Sequence, residues 1–575
     1  MAAYTAHNMQ TIDFWTPSNL VAATSQIGSL EEPYARARRR IKSVLSDGHP
    51  AILAYSGGKD SSTLVSIALL VARELISEMD ICPPIVLVSA NTGVEQPELV
   101  GLVTSEIRKM KTYAKRHGIP LSCHISHPEL SDTFGVRVIG GRGLPSFPDT
   151  RGDCSVMWKI KPNERTVRQV FKALGQQKIW AEPVIFTGVR EQESLARDQR
   201  IAARGEKAEG LWSTQEGNLH ASPILDFDSS DVWEHIGLCN AGERDSFSDF
   251  SDVMRIYASS GGDNCVIVAD LKSAGNNKPC GTRTGCFMCT RVGEDRSMQN
   301  MIASDSQRYG HLKPLAALRD FVSRTQYDWS RRHFVGRTIN ADGFITIQAD
   351  VYSPPMLEEL LRYTLSAQAL SGVEIIPLEQ LIGIDARWSQ YGLFPPFSAL
   401  KIYFEVEAGD IRVAPEVTRF PKTEVPRIGL IRVGGEDYAD TLRGEVSGLR
   451  HLAMEMHHES CGFGLRTLND GSMVIDVETQ DNFTVDPEGA AEFLTFVAEE
   501  KIASYCHESC TDWTFGFKTY LEYGTVGLRK GRSSQCHEIL QRSQWRQAQR
   551  LHGHRTVAEL EARCDVLFSR QIGLI

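Results

Sequence analysis

Residues 54–61 read Ala-Tyr-Ser-Gly-Gly-Lys-Asp-Ser and place hydroxyl and ammonium groups around a glycine pair. The preceding apolar run 51–53 predicts a short buried strand, and the residues after the loop predict a helix. Backbone amides of such a turn, together with the positive end of a helix, bind phosphate groups. Ser56 and Ser61 can donate hydrogen bonds to a phosphate, and Lys59 adds a positive charge. The spacing differs from that of a Walker P-loop, which has four residues between its first glycine and Gly-Lys-Ser/Thr.

A second group of reactive residues follows more than 200 residues later. Cys286-Phe287-Met288-Cys289 is a C-x-x-C pair, Cys280 lies six residues before Cys286, and Cys265 lies fifteen residues before Cys280. Such crowding is typical of a metal site, whereas disulfide frameworks belong to exported proteins. Four thiolates hold a four-iron, four-sulfur (4Fe-4S) cluster or a structural zinc ion, and inert buried cysteines are a further alternative. We expect the cluster, with zinc as the alternative metal.

Composition sets few limits on the partners of this chain. A net charge of −10 does not favour nucleic acid as a partner, but local patches rather than totals attract phosphates. No apolar run of about 18 residues occurs, so we predict no membrane span and no membrane partner. The first residues after Met1 lack the basic segment followed by an apolar segment that is typical of a signal peptide. Thirteen cysteines in such a chain indicate a reducing compartment, so we expect a cytoplasmic protein.

The elements that must position the first loop follow a regular alternation. Strand-like runs at 51–55, 85–89, 121–125 and 184–189 alternate with helical stretches at 61–78, 95–117 and 162–175. This order predicts an α/β fold with a doubly wound, mostly parallel sheet. Ligands of such sheets bind at the carboxyl ends of the strands. Ser56 and Asn91-Thr92-Gly93 both fall at that edge.

A length of 575 residues predicts about two to four domains. We divide the chain into an N-terminal segment (1–35), the α/β domain (36–260), a cysteine-rich segment (261–300), a mainly helical domain (301–420) and an α+β accessory domain (421–575). Prolines mark a linker before the last of these, at Pro415, Pro421 and Pro426. The polar, glycine-bearing stretch 198–221 is expected to be a mobile loop.

The loop resembles the SGGKDS loop of the ATP pyrophosphatase (PP-loop) superfamily, whose members split ATP between its α and β phosphates. The resemblance implies that ATP with Mg²⁺ is bound by Ser56, Gly57, Gly58, Lys59, Asp60 and Ser61. It also implies catalytic roles for the four polar side chains of this loop, those of Ser56, Lys59, Asp60 and Ser61. Lys59 and the metal would neutralise the departing pyrophosphate, and Asp60 would orient the metal or cap the helix.

Two further segments resemble the phosphoadenosine phosphosulfate reductase-like branch of that superfamily. The segment 89–95 resembles its D/N-T-G-x-E motif, which implies adenosine contacts from Asn91, Thr92 and Gly93. The segment 187–197 resembles its G-x-R-x-x-E-S-x-x-R motif, which implies nucleotide contacts from Gly188, Arg190 and Arg197. The two arginines would face phosphate or sulfate oxygens.

The reductase resemblance also extends the set of candidate cluster ligands. Cluster-bearing adenylylsulfate reductases place cysteines before a K-x-x-P segment and in a later C-x-x-C pair. Cys154 precedes such a segment, so five thiols compete for four positions, namely Cys154, Cys265, Cys280, Cys286 and Cys289. The assimilatory reductases end in an E-C-G-(I/L)-H segment that carries their nucleophile. The residues 568–575 do not match it, so sulfonucleotide reduction is disfavoured.

The block 280–292 resembles the C-G-x-x-R-x-G-C-W-x-C-T-x-V segment of the DndC family, the PP-loop, iron–sulfur component of DNA phosphorothioation. Phe287 stands at the position of the usual tryptophan. Resemblance continues through 340–344 and 357–368 and covers roughly residues 30–410. The longer gap between Cys265 and Cys280 and the extra C-terminal residues suggest a divergent member, of the SspD type found in single-strand systems.

This resemblance implies an ATP pyrophosphatase and sulfurtransferase that adenylates a DNA phosphate and helps to replace a non-bridging oxygen by sulfur. Its implied partners are DNA, a cysteine desulfurase as sulfur donor, and other phosphorothioation-complex proteins that act in phage defence. Two enzyme alternatives come from the same superfamily, a tRNA thiolase and a sulfonucleotide reductase. A third alternative is a non-catalytic, nucleotide-sensing partner that binds DNA.

A basic cluster precedes the first strand and consists of Arg36, Arg38, Arg39, Arg40 and Lys42. A solvated helix face is the ordinary explanation of such a run. A contact with the DNA backbone is the alternative, because clustered cations bind phosphates.

Overall fold

The computed structural model describes residues 31–148, 153–176, 179–191, 195–214, 217–261, 285–339, 344–425 and 482–548, three short strands between 431 and 475, and parts of 550–562. The first region contains the helices α1 (Pro33–Ser46), α2 (Lys59–Met79), α3 (Pro97–His117), α4 (Lys161–Gly175), α5 (Leu195–Arg204), α6 (Ser229–Asn240) and α7 (Ser251–Ser259). Its strands are β1 (Ala51–Ala54), β2 (Ile85–Ala90), β3 (Leu121–Ser126), β4 (Val184–Phe186), β5 (Trp212–Ser213) and β6 (Leu219–Ala221).

These six strands form one sheet in the order β3-β2-β1-β4-β6-β5. All neighbours are parallel except β5, which runs antiparallel to β6. Ala51 of β1 pairs with Ile85 of β2 on one side and with Val184 of β4 on the other, so β1 lies inside the sheet. The predicted α/β fold with a mostly parallel, doubly wound sheet is confirmed.

Alternate residues of the central strands face opposite layers of helices, as the pleat of a strand requires. On one face, Leu53 and Leu87 pack in a core with α2 and α3. On the other face, Ile52 and Val86 pack against Val170 of α4. Helices α3 and α4 therefore cover opposite faces of the sheet.

The expectation of a mobile loop at 198–221 is wrong for most of its residues. Helix α5 and the strands β5 and β6 occupy much of this stretch. Two apolar side chains anchor this stretch to the rest of the domain, since both are buried: Ile201 is 4% exposed and Trp212 is 8% exposed. The indole of Trp212 also stacks on the His220 ring, with centroids 4.5 Å apart. The polar composition reflects the outer faces of these elements.

The next region begins with the helices α8 (Arg296–Ser304), α9 (Ser306–Tyr309) and α10 (Lys313–Arg324), and it ends with α11 (Pro354–Ser371), α12 (Leu378–Gln390) and α13 (Ser398–Glu407). Between them, β7 (Arg332–Ile339) and β8 (Phe344–Tyr352) form an antiparallel pair, which the expectation of a mainly helical region did not include. The alternating, β-branched run 344–352 explains the strand. Residues 411–425 that follow α13 contain no helix or strand.

The strands β7 and β8 also pair with the later strands β9 (Ile431–Arg432), β10 (Leu465–Thr467) and β11 (Met473–Ile475). Together they form a five-stranded sheet in the order β10-β11-β7-β8-β9. The strand pairing therefore crosses the expected domain boundary at residue 420.

The last described region contains β12 (Phe483–Val485), α14 (Pro487–Phe496), α15 (Ala498–Tyr505), α16 (Phe515–Glu522), β13 (Val526–Leu528) and α17 (Ser533–Ala548). It packs onto the preceding helices rather than forming a core of its own. Phe493 and Tyr520 belong to the same buried cluster as Ile384 and Phe397. The hydroxyl of Tyr520 donates to Asp385 Oδ2 at 2.8 Å. Helices α11–α13 and the C-terminal region therefore share one core.

Within the described part of the chain, no helix combines the length and the apolar character needed to cross a membrane.

Candidate active site

The loop between β1 and α2 is closed by hydrogen bonds of its two serines. Ser61 Oγ donates to the Gly58 carbonyl at 3.0 Å and lies 3.2 Å from Ser56 Oγ. The Ser56 amide donates to Ser61 Oγ at 3.3 Å, and the Gly58 amide donates to Ser56 Oγ at 3.4 Å. The loop is thus curled over the first turn of α2, at the carboxyl edge of the sheet. Amides at this position form an anion site together with the helix N-terminus.

Two glycines of the site are required by its geometry. Gly57 has φ +75°, and a Cβ built there would lie 2.6 Å from Val103 Cγ2 of α3. Gly188 follows β4, and its Cβ would lie 3.3 Å from the Ser61 amide nitrogen. The motif segment after β4 therefore lies directly against the start of α2. The structure brings Gly188 and the Ser56–Ser61 loop together.

Asp60 is held between two cations. Arg190 Nε donates to Asp60 Oδ1 at 2.6 Å, and Lys59 Nζ lies 3.2 Å from Asp60 Oδ2. Arg190 and Lys59 are both buried, with 5% and 7% exposure. This carboxylate forms ion pairs with two buried cations, which lowers the cost of keeping their charges in the interior. Asp60 does not accept a hydrogen bond as an N-cap, since the cap residue of α2 is Gly58 and lacks a side-chain acceptor.

Tyr257 of α7 completes the loop, and the sequence offered no signal for it. Its hydroxyl accepts a hydrogen bond from the Lys59 amide at 3.2 Å. The Lys59 ammonium also lies 5.9 Å from the centroid of the Tyr257 ring, within the range of a cation–π contact. Tyr257 is 198 residues from the loop and belongs to no recognisable motif.

The segment 89–95, which resembles the D/N-T-G-x-E motif, holds the cysteine pair. Glu95 forms an antiparallel bridge with Cys286, the Phe287 amide donates to the Val94 carbonyl at 2.9 Å, and the Gln96 amide donates to the Gly285 carbonyl at 3.0 Å. Thr92 Oγ1 lies 3.4 Å from Cys286 Sγ. The C-x-x-C segment is therefore docked on the edge where β2 ends.

Asn91 and Gly93 shape the same motif. The Gly93 amide donates to Asn91 Oδ1 at 2.9 Å, and Gly93 has φ +77°. This is an Asx-type turn, in which a side-chain carbonyl accepts the hydrogen bond that closes the turn. The turn leaves Thr92 buried, with its hydroxyl toward the cysteine segment.

A lysine lies beside the two thiols. Lys159 Nζ forms an ion pair with Glu95 Oε1 at 3.0 Å. Although burial acts to lower it, the pKa of the Lys159 ammonium is raised by Cys286 and then by Glu95. Burial raises the pKa of the Cys286 thiol to about 11, while Lys159 and the hydrogen bond with Thr92 act in the lowering direction. The surroundings of Cys286 are thus apolar but contain one cation.

Cys154 reaches the same neighbourhood through Ser146. The Cys154 amide donates to Ser146 Oγ at 3.2 Å, and Thr290 Oγ1, next to Cys289, donates to the Ser146 carbonyl at 2.8 Å. Cys154 and Cys286 pack against one hydrophobic cluster. Helical turns at 153–160 then lead from Cys154 through Lys159 into α4.

The described residues supply only part of a metal site. Cys265 and Cys280 lie outside them, and within the described ranges no three cysteine, histidine or acidic side chains form a possible metal site. Cys286 and Cys289 form a tight turn, in which the Cys289 amide donates to the Cys286 carbonyl at 3.0 Å. A C-x-x-C turn of this kind fits shared ligation of a metal or cluster by two thiolates.

Arg319 of α10 fixes the chain after the pair and was not foreseen from the sequence. It is 1% exposed. Its guanidinium donates to the carbonyls of Cys289 at 3.1 Å, of Gly293 at 3.1 Å and of Val292. Five donors on a planar group suit such a set of carbonyls. Arg319 is therefore a structural clamp on the cysteine segment.

The remaining nucleotide candidate, Arg197, lies in α5, and its side chain is outside the described residues. The basic cluster of α1 is fully described, and every cation in it has a carboxylate partner. The pairs are Arg36–Asp226, Arg38–Glu74, Arg39–Glu209, Arg40–Asp226 and Lys42–Glu78. This pairing favours a structural role for the cluster over a DNA contact.

A family comparison agrees with this loop geometry. Residues 50–242 match the model of the phosphoadenosine phosphosulfate reductase domain. Residues 50–242 therefore form a phosphoadenosine phosphosulfate reductase-like domain. This reductase-like domain contains the Ser56–Ser61 loop, Asn91–Gly93 and Gly188–Arg190. The narrower resemblance to the DndC family stays a prediction.

Solved structures give weaker similarities. Candida glabrata FMN adenylyltransferase, solved with FMN and the ATP analog AMPCPP, is 16% identical with a TM-score of 0.22, and the match covers 39% of this chain and 63% of that one. Yeast FAD synthetase, solved with FAD, is 16% identical with a TM-score of 0.21, and the match covers 40% and 63%. The chain thus spans under two thirds of these proteins. No curated protein matches it.

Proposed function

We propose that this chain is an ATP pyrophosphatase and sulfurtransferase that activates a DNA backbone phosphate for phosphorothioation. The observation that carries the proposal is the docking of the Cys286–Cys289 pair on the 91–95 segment. Thr92 Oγ1, in a nucleotide motif, lies 3.4 Å from Cys286 Sγ. Sulfur chemistry beside a nucleotide site is what a sulfurtransferase that uses ATP requires.

In the activation step, a DNA phosphate oxygen attacks the α phosphorus of ATP. A bond forms between that oxygen and the α phosphorus, the bond from the α phosphorus to the oxygen that bridges the α and β phosphates breaks, and pyrophosphate leaves with the bonding electron pair. Amides of the Gly57–Lys59 turn and the Lys59 ammonium supply positive charge where negative charge develops. Asp60 and Arg190 keep Lys59 in place through the ion pairs at 3.2 and 2.6 Å.

In the sulfur step, a sulfur nucleophile attacks the adenylated DNA phosphorus, and AMP leaves with the bonding electron pair. Hydrosulfide would complete the reaction by losing its proton to solvent. A persulfide from a cysteine desulfurase would need a second thiol, which supplies two electrons and takes up the other sulfur in a disulfide. A 4Fe-4S cluster would be held by Cys286, Cys289, Cys154 and either Cys265 or Cys280, and it supplies bound sulfide or electron transfer; zinc is the alternative metal.

The test of the activation step uses ATP labelled on the γ phosphate, with DNA and a sulfide source. We expect labelled pyrophosphate from the wild type and at least about a tenfold lower rate from Ser61→Ala, because the variant loses the hydroxyl that closes the loop. Ser77→Ala on the same helix is the matched control, since Ser77 is exposed and lies near the opposite end of the helix from the loop. Release of orthophosphate instead of pyrophosphate would exclude the PP-loop chemistry.

Mass spectrometry of digested DNA and RNA identifies the acceptor. Cells that express the protein with its partner proteins are expected to contain phosphorothioate dinucleotides that are absent from cells expressing Ser61→Ala. Thiolated nucleosides in tRNA would support the tRNA thiolase alternative. Sulfite released from adenylylsulfate by the purified protein would support the reductase alternative.

A further inference from the structure

Helix α4 carries an exposed basic face that begins close to the cysteine pair. Its four cations lie at Lys161, Arg165, Arg168 and Lys172, with spacings of four, three and four residues. These spacings put all four on one face of a helix. The opposite face, with Val170 and Leu174, packs on the sheet. The basic face is therefore directed away from the core.

The charge of this face is largely uncompensated. Glu164 is the single carboxylate among the fifteen residues of α4. Arg165 pairs with Glu129 at 2.7 Å, but Lys161 and Lys172 have no ion-pair partner among the described residues. The α1 cluster is different, because each of its cations is neutralised. A chain with a net charge of −10 thus keeps a positive stripe at one defined place.

The C-terminal region extends the stripe. The Arg529 guanidinium lies 3.6 Å from Glu129 Oε2, and Arg165 binds the other oxygen of the same carboxylate. Arg529 begins the segment Arg529-Lys530-Gly531-Arg532, which follows β13, and Lys530 is exposed without an ion-pair partner among the described residues. Two segments more than 350 residues apart therefore meet in one basic surface.

We propose that this basic surface, formed by the exposed face of α4 and residues 529–532, binds the phosphodiester backbone of DNA. The inference rests on the proposed function, since it identifies how the DNA substrate reaches the site. Eleven residues of helix separate Lys161 from Lys172, which is roughly 17 Å, or on the order of five phosphates along one duplex strand. Lys159, one half-turn before the stripe, is the ion-pair partner of Glu95 beside Cys286. DNA lying on the stripe leads toward the cysteine pair.

Fluorescence anisotropy with labelled DNA of about 30 nucleotides tests the surface on the full-length protein. We expect Arg168→Glu with Lys172→Glu to weaken binding at least tenfold at low salt and to lower the slope of log K against log salt by about 1.4 to 2. The matched control is Lys111→Glu with Lys115→Glu, which makes the same charge change at exposed lysines of α3 on the opposite face of the sheet. The control is expected to stay within twofold of the wild type.

Lys530→Glu tests the contribution of the C-terminal region and is expected to weaken binding about threefold to tenfold. Unchanged circular dichroism and thermal midpoints show that each variant is folded. Wild-type affinity of the α4 double variant would overturn the proposal, and so would tighter binding of RNA of the same sequence. The binding assay contains no ATP, so its outcome does not depend on the pyrophosphate assay. If the wild-type protein releases no pyrophosphate, the proposed function is rejected, while DNA binding by the basic surface can still be measured.

Discussion

At the scale of single residues, Gly57 and Gly93 have the same backbone conformation but different surroundings. Both have positive φ, at +75° and +77°. A Cβ at position 57 would lie 2.6 Å from Val103 Cγ2, whereas a Cβ at position 93 would meet nothing within 4 Å. A side chain would therefore be conformationally strained at either position, and of the two only position 57, in the Ser56–Ser61 loop, would add a steric conflict.

Substituting each glycine by alanine separates the two effects. Gly57→Ala is expected to lower the free energy of unfolding by about 3 kcal/mol, because strain and overpacking add. Gly93→Ala is expected to cost about 1 kcal/mol, from strain alone. Urea denaturation measures both values. Equal losses would show that α3 moves away from Gly57 at little cost.

At the scale of elements, His235 joins α6 to α2 and α1. Arg244 Nη1 lies 3.1 Å from His235 Nδ1, and since a guanidinium can only donate, Nδ1 accepts and Nε2 carries the proton. Nε2 lies 3.0 Å from Ser66 Oγ of α2, and the ring stacks on Tyr34 of α1. Burial, and then the charge of Arg244, lower the pKa of His235 to about 3.

This lowered pKa predicts a stability that depends on pH. Below pH about 6.5 the unfolded chain binds a proton that the folded His235 does not bind, so stability is lost as the pH falls toward 3. At pH 5 the loss from this residue is about 2 kcal/mol. Denaturation at pH 7 and pH 5 is expected to show a smaller pH difference for His235→Gln than for the wild type. An unchanged difference would assign the acid sensitivity to other groups.

Sequence periodicity predicted the elements of the reductase-like domain because their apolar residues recur regularly. The run 51–53 and the run 85–89 are strands whose alternate residues face two cores. Contacts between distant segments leave no such pattern. Tyr257 reaches the Lys59 amide from α7, and Arg319 reaches the Cys289 carbonyl from α10, so neither could be identified from local spacing. The mispredicted stretch 198–221 is anchored by only a few buried side chains.

At the scale of the whole molecule, the C-terminal region and helices α11–α13 depend on one core. Two phenylalanines of α14 test this dependence, since Phe493 is 1% exposed and Phe496 is 81% exposed. The centroid of the Phe493 ring lies 6.1 Å from that of Phe397, the N-cap residue of α13, and 4.9 Å from that of Tyr520 in α16. Phe493 therefore connects elements on both sides of the expected boundary at residue 420.

Phe493→Ala is expected to lower the free energy of unfolding of this core by about 3 to 4 kcal/mol, because the substitution leaves a large cavity. Phe496→Ala on the same helix is expected to change it by less than about 0.5 kcal/mol. Differential scanning calorimetry shows whether one transition or two are affected. If Phe493→Ala shifts only a small separate transition, the C-terminal region folds on its own.

The expected boundaries followed prolines and changes of composition, which indicate where the chain lacks regular structure. Residues 411–425 indeed contain no helix or strand. Composition does not reveal which surfaces such a segment brings together. The pairing of β7 with β11 and the contact of Asp385 with Tyr520 depend on that arrangement.

The start of α3 contacts both the cysteine segment and the Ser56–Ser61 loop. Gln96, its cap, donates its amide to Gly285 in the cysteine segment, and its side chain accepts from the Leu99 amide. Leu99 and Val103, on the next turns, lie against the position of Gly57. A displacement of the cysteine segment by oxidation of its thiols would therefore act on the same helix whose Leu99 and Val103 pack against Gly57. Under the proposed function, oxidation of Cys286 or Cys289 is therefore expected to change the affinity of the Ser56–Ser61 loop for ATP.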